Sequence, residues 1–122
     1  MAKRILVIED EKDIRDTIVY VLEEQGYKVT SSEDARILKS LDTIKPDLIL
    51  LDNWLTEWKS DANGQQISKE LKSNPATSHI PIIMISAVSN IQEIAEAANA
   101  DAFLKKPFDL SEILDIVKKF TA

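Results

Sequence analysis

The chain of 122 residues contains no cysteine, so disulfides and thiolate zinc sites are both excluded. Its single histidine, His79, has no second soft ligand with which to complete a transition-metal site. No stretch approaches the roughly 18 uninterrupted apolar residues of a membrane span, and the start, MAKRILVIEDE, lacks a run of signal-peptide length. A basic stripe is missing as well. The net charge of −6 argues against a nucleic-acid footprint and gives no attraction to an anionic membrane surface. The expectation is a soluble, cytoplasmic protein. With 44% hydrophobic and 30% charged residues, the chain has globular composition, and its length suits one domain, residues 1–122.

What is present alternates. Ile5 to Ile8, Asp47 to Asp52 and Ile80 to Ile85 are short apolar runs, the mark of strands covered on both faces. Tyr27 to Thr30 and Ala102 to Lys105 read as two further strands. Between them, apolar residues recur at helical spacing: Ile14, Ile18, Val21 and Leu22, then Ile37, Leu38, Leu41 and Ile44 within a helix expected over 33–44. Helices are also expected around Gln65 to Ser73, from Ile91 to Ala98 and from Leu110 to Phe120, the last capped by Asp109 or Ser111. Gly26 and Pro46 close the first two helices. Strands joined by helices imply a parallel sheet with right-handed crossovers. For five such units the expected fold is a doubly wound α/β sandwich, flavodoxin-like, with strand order 2-1-3-4-5.

That order bears on function. Ligands bind beyond the carboxyl ends of strands where the order reverses, here between strands 1 and 3. Those strands end in Glu9-Asp10 and in Asp52, within LVIEDE and LILLD. Several carboxylates brought together repel one another, and are stable only with protons or a cation between them. Oxygen donors without His or Cys suit a hard cation such as Mg²⁺. Ser86 and Lys106 close strands 4 and 5 at the same edge, offering a hydroxyl and an ammonium. The set suits a divalent cation and a phosphoryl group, and an Asp carboxylate can itself be the nucleophile.

Over nearly its whole length the chain resembles a receiver domain of two-component response regulators. The resemblance is carried by LVIEDE, PDLILLD, IPIIMISA and DAFLKKPF. It implies that Asp52 accepts a phosphoryl group from a histidine kinase or histidine phosphotransfer protein. Glu9, Asp10, Asp52 and the backbone carbonyl of Trp54 would hold Mg²⁺. Ser86 would hydrogen-bond a phosphoryl oxygen, and Lys106 would pair with it. Phe103 would be the aromatic switch, altering the face formed by the fourth helix, fifth strand and fifth helix toward a downstream protein target. A cis Lys106-Pro107 bond is implied, as is a monomer or a phosphorylation-dependent dimer. Such a protein is not an enzyme beyond its own phosphotransfer and autodephosphorylation. Kinase docking would fall on the shoulder of helix 1, with Asp13 and Arg15 to Thr17.

The loop NWLTEWKSDANG departs from the family: Thr56 stands where proline is usual, and Gly64 arrives late. Trp54 and Trp58 read equally as local core and as partner contacts, and Trp54 with Val88 could shield the acyl phosphate from water. Lys105 should point away from the site, and Lys118 and Lys119 complement the last helix dipole. An unphosphorylated pseudo-receiver remains an alternative. A flavin carrier would need a Ser/Thr/Gly-rich loop where IEDEKD stands, and an Asp-nucleophile phosphatase would need an Asp-x-Asp at Asp10. Ending at Ala122, the chain is expected to carry no output module, as a stand-alone regulator or part of a longer one.

Overall fold

Ile5, Leu6, Val7 and Ile8 are each at most 1% exposed, as only a strand covered on both faces allows. They belong to β1, Arg4–Ile8. The computed structural model describes residues 2–52, 64–87 and 89–122. The remaining strands are β2 (Lys28–Ser32), β3 (Leu48–Asp52), β4 (Ile82–Ser86) and β5 (Ala102–Lys105). The helices are α1 (Lys12–Glu24), α2 (Leu41–Ile44), α3 (Gly64–Ser73), α4 (Ile91–Ala97) and α5 (Leu110–Thr121). The sheet is parallel throughout, in the expected order β2-β1-β3-β4-β5.

Alternation along the strands sorts the core into layers. Ile5, Val7, Leu48, Leu50 and Ile85 pack with Ile18 and Leu22 of α1 and with Ile113 and Val117 of α5. Leu6, Ile8, Ile49 and Leu51 face the other way, toward Ile67 of α3 and the half-buried Leu38 and Leu41. Met84 lies against Ile91 and Ala95 of α4.

The helix ends follow from local chemistry. Gly26, at φ +93°, donates its N–H to Glu23, and Tyr27 donates to Leu22, so two terminal carbonyls of α1 are satisfied in a Schellman arrangement. At the start of α5 the Asp109 N–H donates to the Glu112 carboxylate at 3.0 Å, and Lys118 and Lys119 occupy the last turn.

Besides shifts of one residue at several element ends, three segments differ from expectation. Residues 33–44 do not form one helix: a 3₁₀ turn, Ala35–Ser40, precedes the single turn of α2. There the buried Asp34 carboxylate caps the 3₁₀ turn, accepting from the Arg36 N–H at 3.0 Å. β2 begins after Tyr27, which is used in closing α1, and runs to Ser32 because it pairs with all of β1. β4 begins at Ile82, since Pro81 has no N–H for the ladder, and it includes Ser86.

The amino-terminal edge of the sheet is closed twice by the same device. Asp47, just before β3, donates its N–H to the Arg4 carbonyl and accepts the Arg4 N–H on Oδ2 at 2.8 Å. Asp101, just before β5, does the same to Ile82, with its Oδ2 accepting at 2.8 Å. That Asp101 oxygen also pairs with Lys72 Nζ at 2.9 Å.

Candidate functional site

The opposite edge is built differently. Ile8 pairs with Leu51, so continuing the register sets Glu9 beside Asp52. By alternation both side chains fall on the α1/α5 side of the sheet, and so does that of Lys106, one residue past β5. Glu9 and Asp52 are buried, at 0% and 2% exposure. With the half-buried Asp10 they can bring one carboxylate oxygen each within 4.8 Å of one another.

Lys106 Nζ lies 2.9 Å from Glu9 Oε1, 3.4 Å from Glu11 Oε1 and 3.7 Å from Asp52 Oδ1. The first contact is an ion pair off the line of a hydrogen bond, since among the described residues Glu9 Oε1 has no hydrogen-bond donor. Glu9 Oε2 accepts the Glu11 N–H at 3.1 Å. Arg15 Nη1 donates to the Glu9 carbonyl at 2.8 Å. Lys106 is itself anchored through its N–H to the Ser86 carbonyl at 2.8 Å, and the Lys106-Pro107 bond is cis.

Burial pushes the Asp52 carboxyl up to about 9, with Asp10 and the Glu9 charge adding to it and Lys106 only partly offsetting them. Burial pulls the Lys106 ammonium down, but Glu9, Asp52 and Glu11 outweigh it, holding the group above its ordinary value. Crowded, buried carboxylates of this kind favour either a proton or a cation among them. The donors are all oxygen, and the charge is of the right sign. The set therefore fits a hard divalent ion.

The family model for the response regulator receiver domain matches residues 5–118. The chain belongs to this family. It is a receiver domain of the kind that response regulators use in two-component signalling, and such domains are generally not enzymes. The receiver is 36% identical over 121 residues to the phosphate regulon transcriptional regulatory protein PhoB of Escherichia coli (strain K12), covering 97% of this chain and 51% of that protein. To the DNA-binding dual master transcriptional regulator RpaA of Synechocystis it is 34% identical over 118 residues, covering 94% of this chain and 47% of the other. It spans about half the length of these curated relatives. The solved receiver domain of NtrX from Brucella abortus superposes with a TM-score of 0.83 at 32% identity, covering 95% of this chain and 96% of that one. A putative response regulator from Chloroflexus aurantiacus has the same fold, with a TM-score of 0.89 at 23% identity over 98% of both chains.

The expected residues are distributed as follows. Glu9, Asp10, Asp52 and Lys106 converge, and Ser86 is buried at the same edge. Ser86 and Phe103 both lie on the Met84 side, because Phe103 is the register partner of Met84. Phe103 is 38% exposed there. Trp54, Trp58, Val88 and the whole 53–63 loop lie outside the described residues. Lys105 is exposed, as is His79 at the far edge. Arg15 corrects an expectation: only Asp13, Asp16 and Thr17 form the exposed shoulder of α1, whereas Arg15 is half-buried and turned back to Glu9. The link from Glu11 to Lys106 was also missed, although the triplet Glu9-Asp10-Glu11 is its signal. Among the described residues, no helix is long and apolar enough to cross a membrane.

Proposed function

We propose that Asp52 is the phosphoacceptor of this receiver, loaded by the phosphohistidine of a histidine kinase or phosphotransfer protein in the cytoplasm. The observation that carries this reading is the convergence of three carboxylates at the switch between β1 and β3, with the Lys106 ammonium 2.9 Å from Glu9 and 3.7 Å from Asp52. An Asp52 carboxylate oxygen attacks phosphorus and forms the new O–P bond. The P–N bond to the donor imidazole breaks, and the nitrogen keeps its electron pair. Little further chemistry is needed, so the protein's part is positioning and charge stabilisation.

Glu9, Asp10 and Asp52 would hold Mg²⁺ through their carboxylate oxygens. When bound, that ion supplies positive charge facing the phosphoryl oxygens. Lys106 pairs with one of those oxygens and Ser86 donates its hydroxyl to another. Pulling Ser86 inward vacates space on the side where Phe103 is exposed, and Phe103 moves to fill it. The changed face of α4, β5 and α5 then binds a downstream protein or a second receiver. The resonances of Phe103 should shift on adding beryllofluoride with Mg²⁺; an unchanged spectrum would contradict the switch.

Intact mass tests the reading of Asp52. Incubation with Mg²⁺ and a small acyl phosphate should add one phosphoryl group to the wild type and none to Asp52→Asn. A wild type that gains nothing would overturn it.

A further inference from the structure

Glu11 occupies the N-cap position of α1, where a carboxylate ordinarily accepts a first-turn N–H. It makes no such cap. Its side chain accepts instead from Lys106 Nζ at 3.4 Å, while its backbone N–H holds Glu9 Oε2 at 3.1 Å. Glu9 is fully buried but the Glu11 side chain is 62% exposed, so Lys106 is drawn toward the rim as well as inward. Of the three carboxylates paired with Lys106 among the described residues, Asp52, with Oδ1 at 3.7 Å, is the most distant. Glu11 also lines a groove of about 500 Å³ between α1 and the start of α5, together with Asp13, Ile14, Lys106 and Leu110.

We infer that Glu11 is a positioning residue for phosphoryl transfer: its carboxylate holds the Lys106 ammonium off Asp52 and slows loading by anionic donors. The inference rests on Asp52 being the phosphoacceptor. With an acyl phosphate, the Asp52 oxygen forms the O–P bond, the bond from phosphorus to the acyl oxygen breaks, and the departing carboxylate takes the electron pair. As this happens Lys106 must turn from Glu11 to the incoming phosphoryl oxygens. A partly exposed ion pair is weak, so releasing it accelerates transfer only modestly, by roughly two- to fivefold. The gain shrinks as salt screens the rim charge.

The test compares Glu11→Gln with Asp13→Asn, which removes the same charge from the same groove but has no ion pair with Lys106 among the described residues. Acetyl phosphate with Mg²⁺ is the donor, and loading is followed by intact mass at low and high salt. In parallel, the Lys106 side-chain nitrogen resonance is recorded in lysine-labelled protein without donor or cation. Glu11→Gln should load faster and move the Lys106 resonance; Asp13→Asn should gain less than half as much in rate and leave the resonance in place. Equal acceleration by both variants would overturn the role, reducing it to general rim charge. So would an unmoved resonance, or a moved one with unchanged loading. If the wild type takes no phosphoryl group, the reading of Asp52 fails and the kinetic role fails with it, whereas the resonance still separates that outcome from a mistaken Glu11–Lys106 contact.

Discussion

The two edges of the sheet use the same residue types to opposite ends. At the amino-terminal edge, Asp47 and Asp101 each bracket the first residue of a neighbouring strand, and Asp101 shares its oxygen with Lys72. Each acid there meets a donor placed by the ladder itself. At the carboxyl edge the buried Glu9 and Asp52 and the half-buried Asp10 lie together, and Lys106 only partly offsets their effect on Asp52. One edge is matched and serves the fold. The other gathers three carboxylates around Lys106, an arrangement that suits a cation and a phosphoryl group.

If that contrast is right, removing an acid should have opposite effects at the two edges. Asp101→Ala leaves the Ile82 N–H and the largely buried Lys72 ammonium without their carboxylate, and should cost about 3 kcal/mol in urea unfolding. A loss below about 1 kcal/mol would mean that the matched edge is not so matched. Asp52→Asn, measured in a metal chelator, should instead stabilise by about 1–2 kcal/mol. Here the sign follows from the proton balance. The folded carboxyl is pushed up to about 9 from an ordinary 3.8, so the unfolded chain releases its proton first. Between about pH 4 and 9, wild-type stability falls as pH rises, and the advantage of Asp52→Asn should widen from pH 5 to pH 8. An advantage that narrows would contradict the account.

Magnesium should reverse part of this deficit. At about ten times its dissociation constant it should raise wild-type stability by about 1.4 kcal/mol and that of Asp10→Asn by much less, read from the melting midpoint. The smallest effect expected is for Lys105→Ala, whose side chain is exposed and pairs with no site residue among the described ones: the melting midpoint and the loading rate should both stay put. By contrast Lys106→Ala should nearly abolish loading.

Much of this was legible before any coordinates. The strands β1, β3 and β4 announce themselves as continuous apolar runs, and the order of a five-unit parallel sheet then fixes which strand ends meet. Glu9, Asp10, Asp52 and Lys106 follow from that alone. The segment at 33–44 was not legible, because apolar residues at 37, 38, 41 and 44 suit a 3₁₀ turn followed by one α-helical turn as well as they suit a continuous helix. Nothing in the spacing of Asp47 and Asp101 tells that each closes a ladder on the neighbouring strand. Nor could spacing tell that Lys106 sits nearer Glu9 than Asp52, or that Arg15 turns inward; such distances depend on side-chain packing across elements far apart in the chain.

The central claim is that the phosphoryl group goes to Asp52 and to no other acid of the cluster. After loading with acyl phosphate and Mg²⁺, borohydride converts an aspartyl phosphate to homoserine, which peptide mapping by mass spectrometry locates. The account predicts the conversion at Asp52 alone. Conversion at Asp10, or its complete absence in a chain that has gained phosphoryl mass, would contradict it.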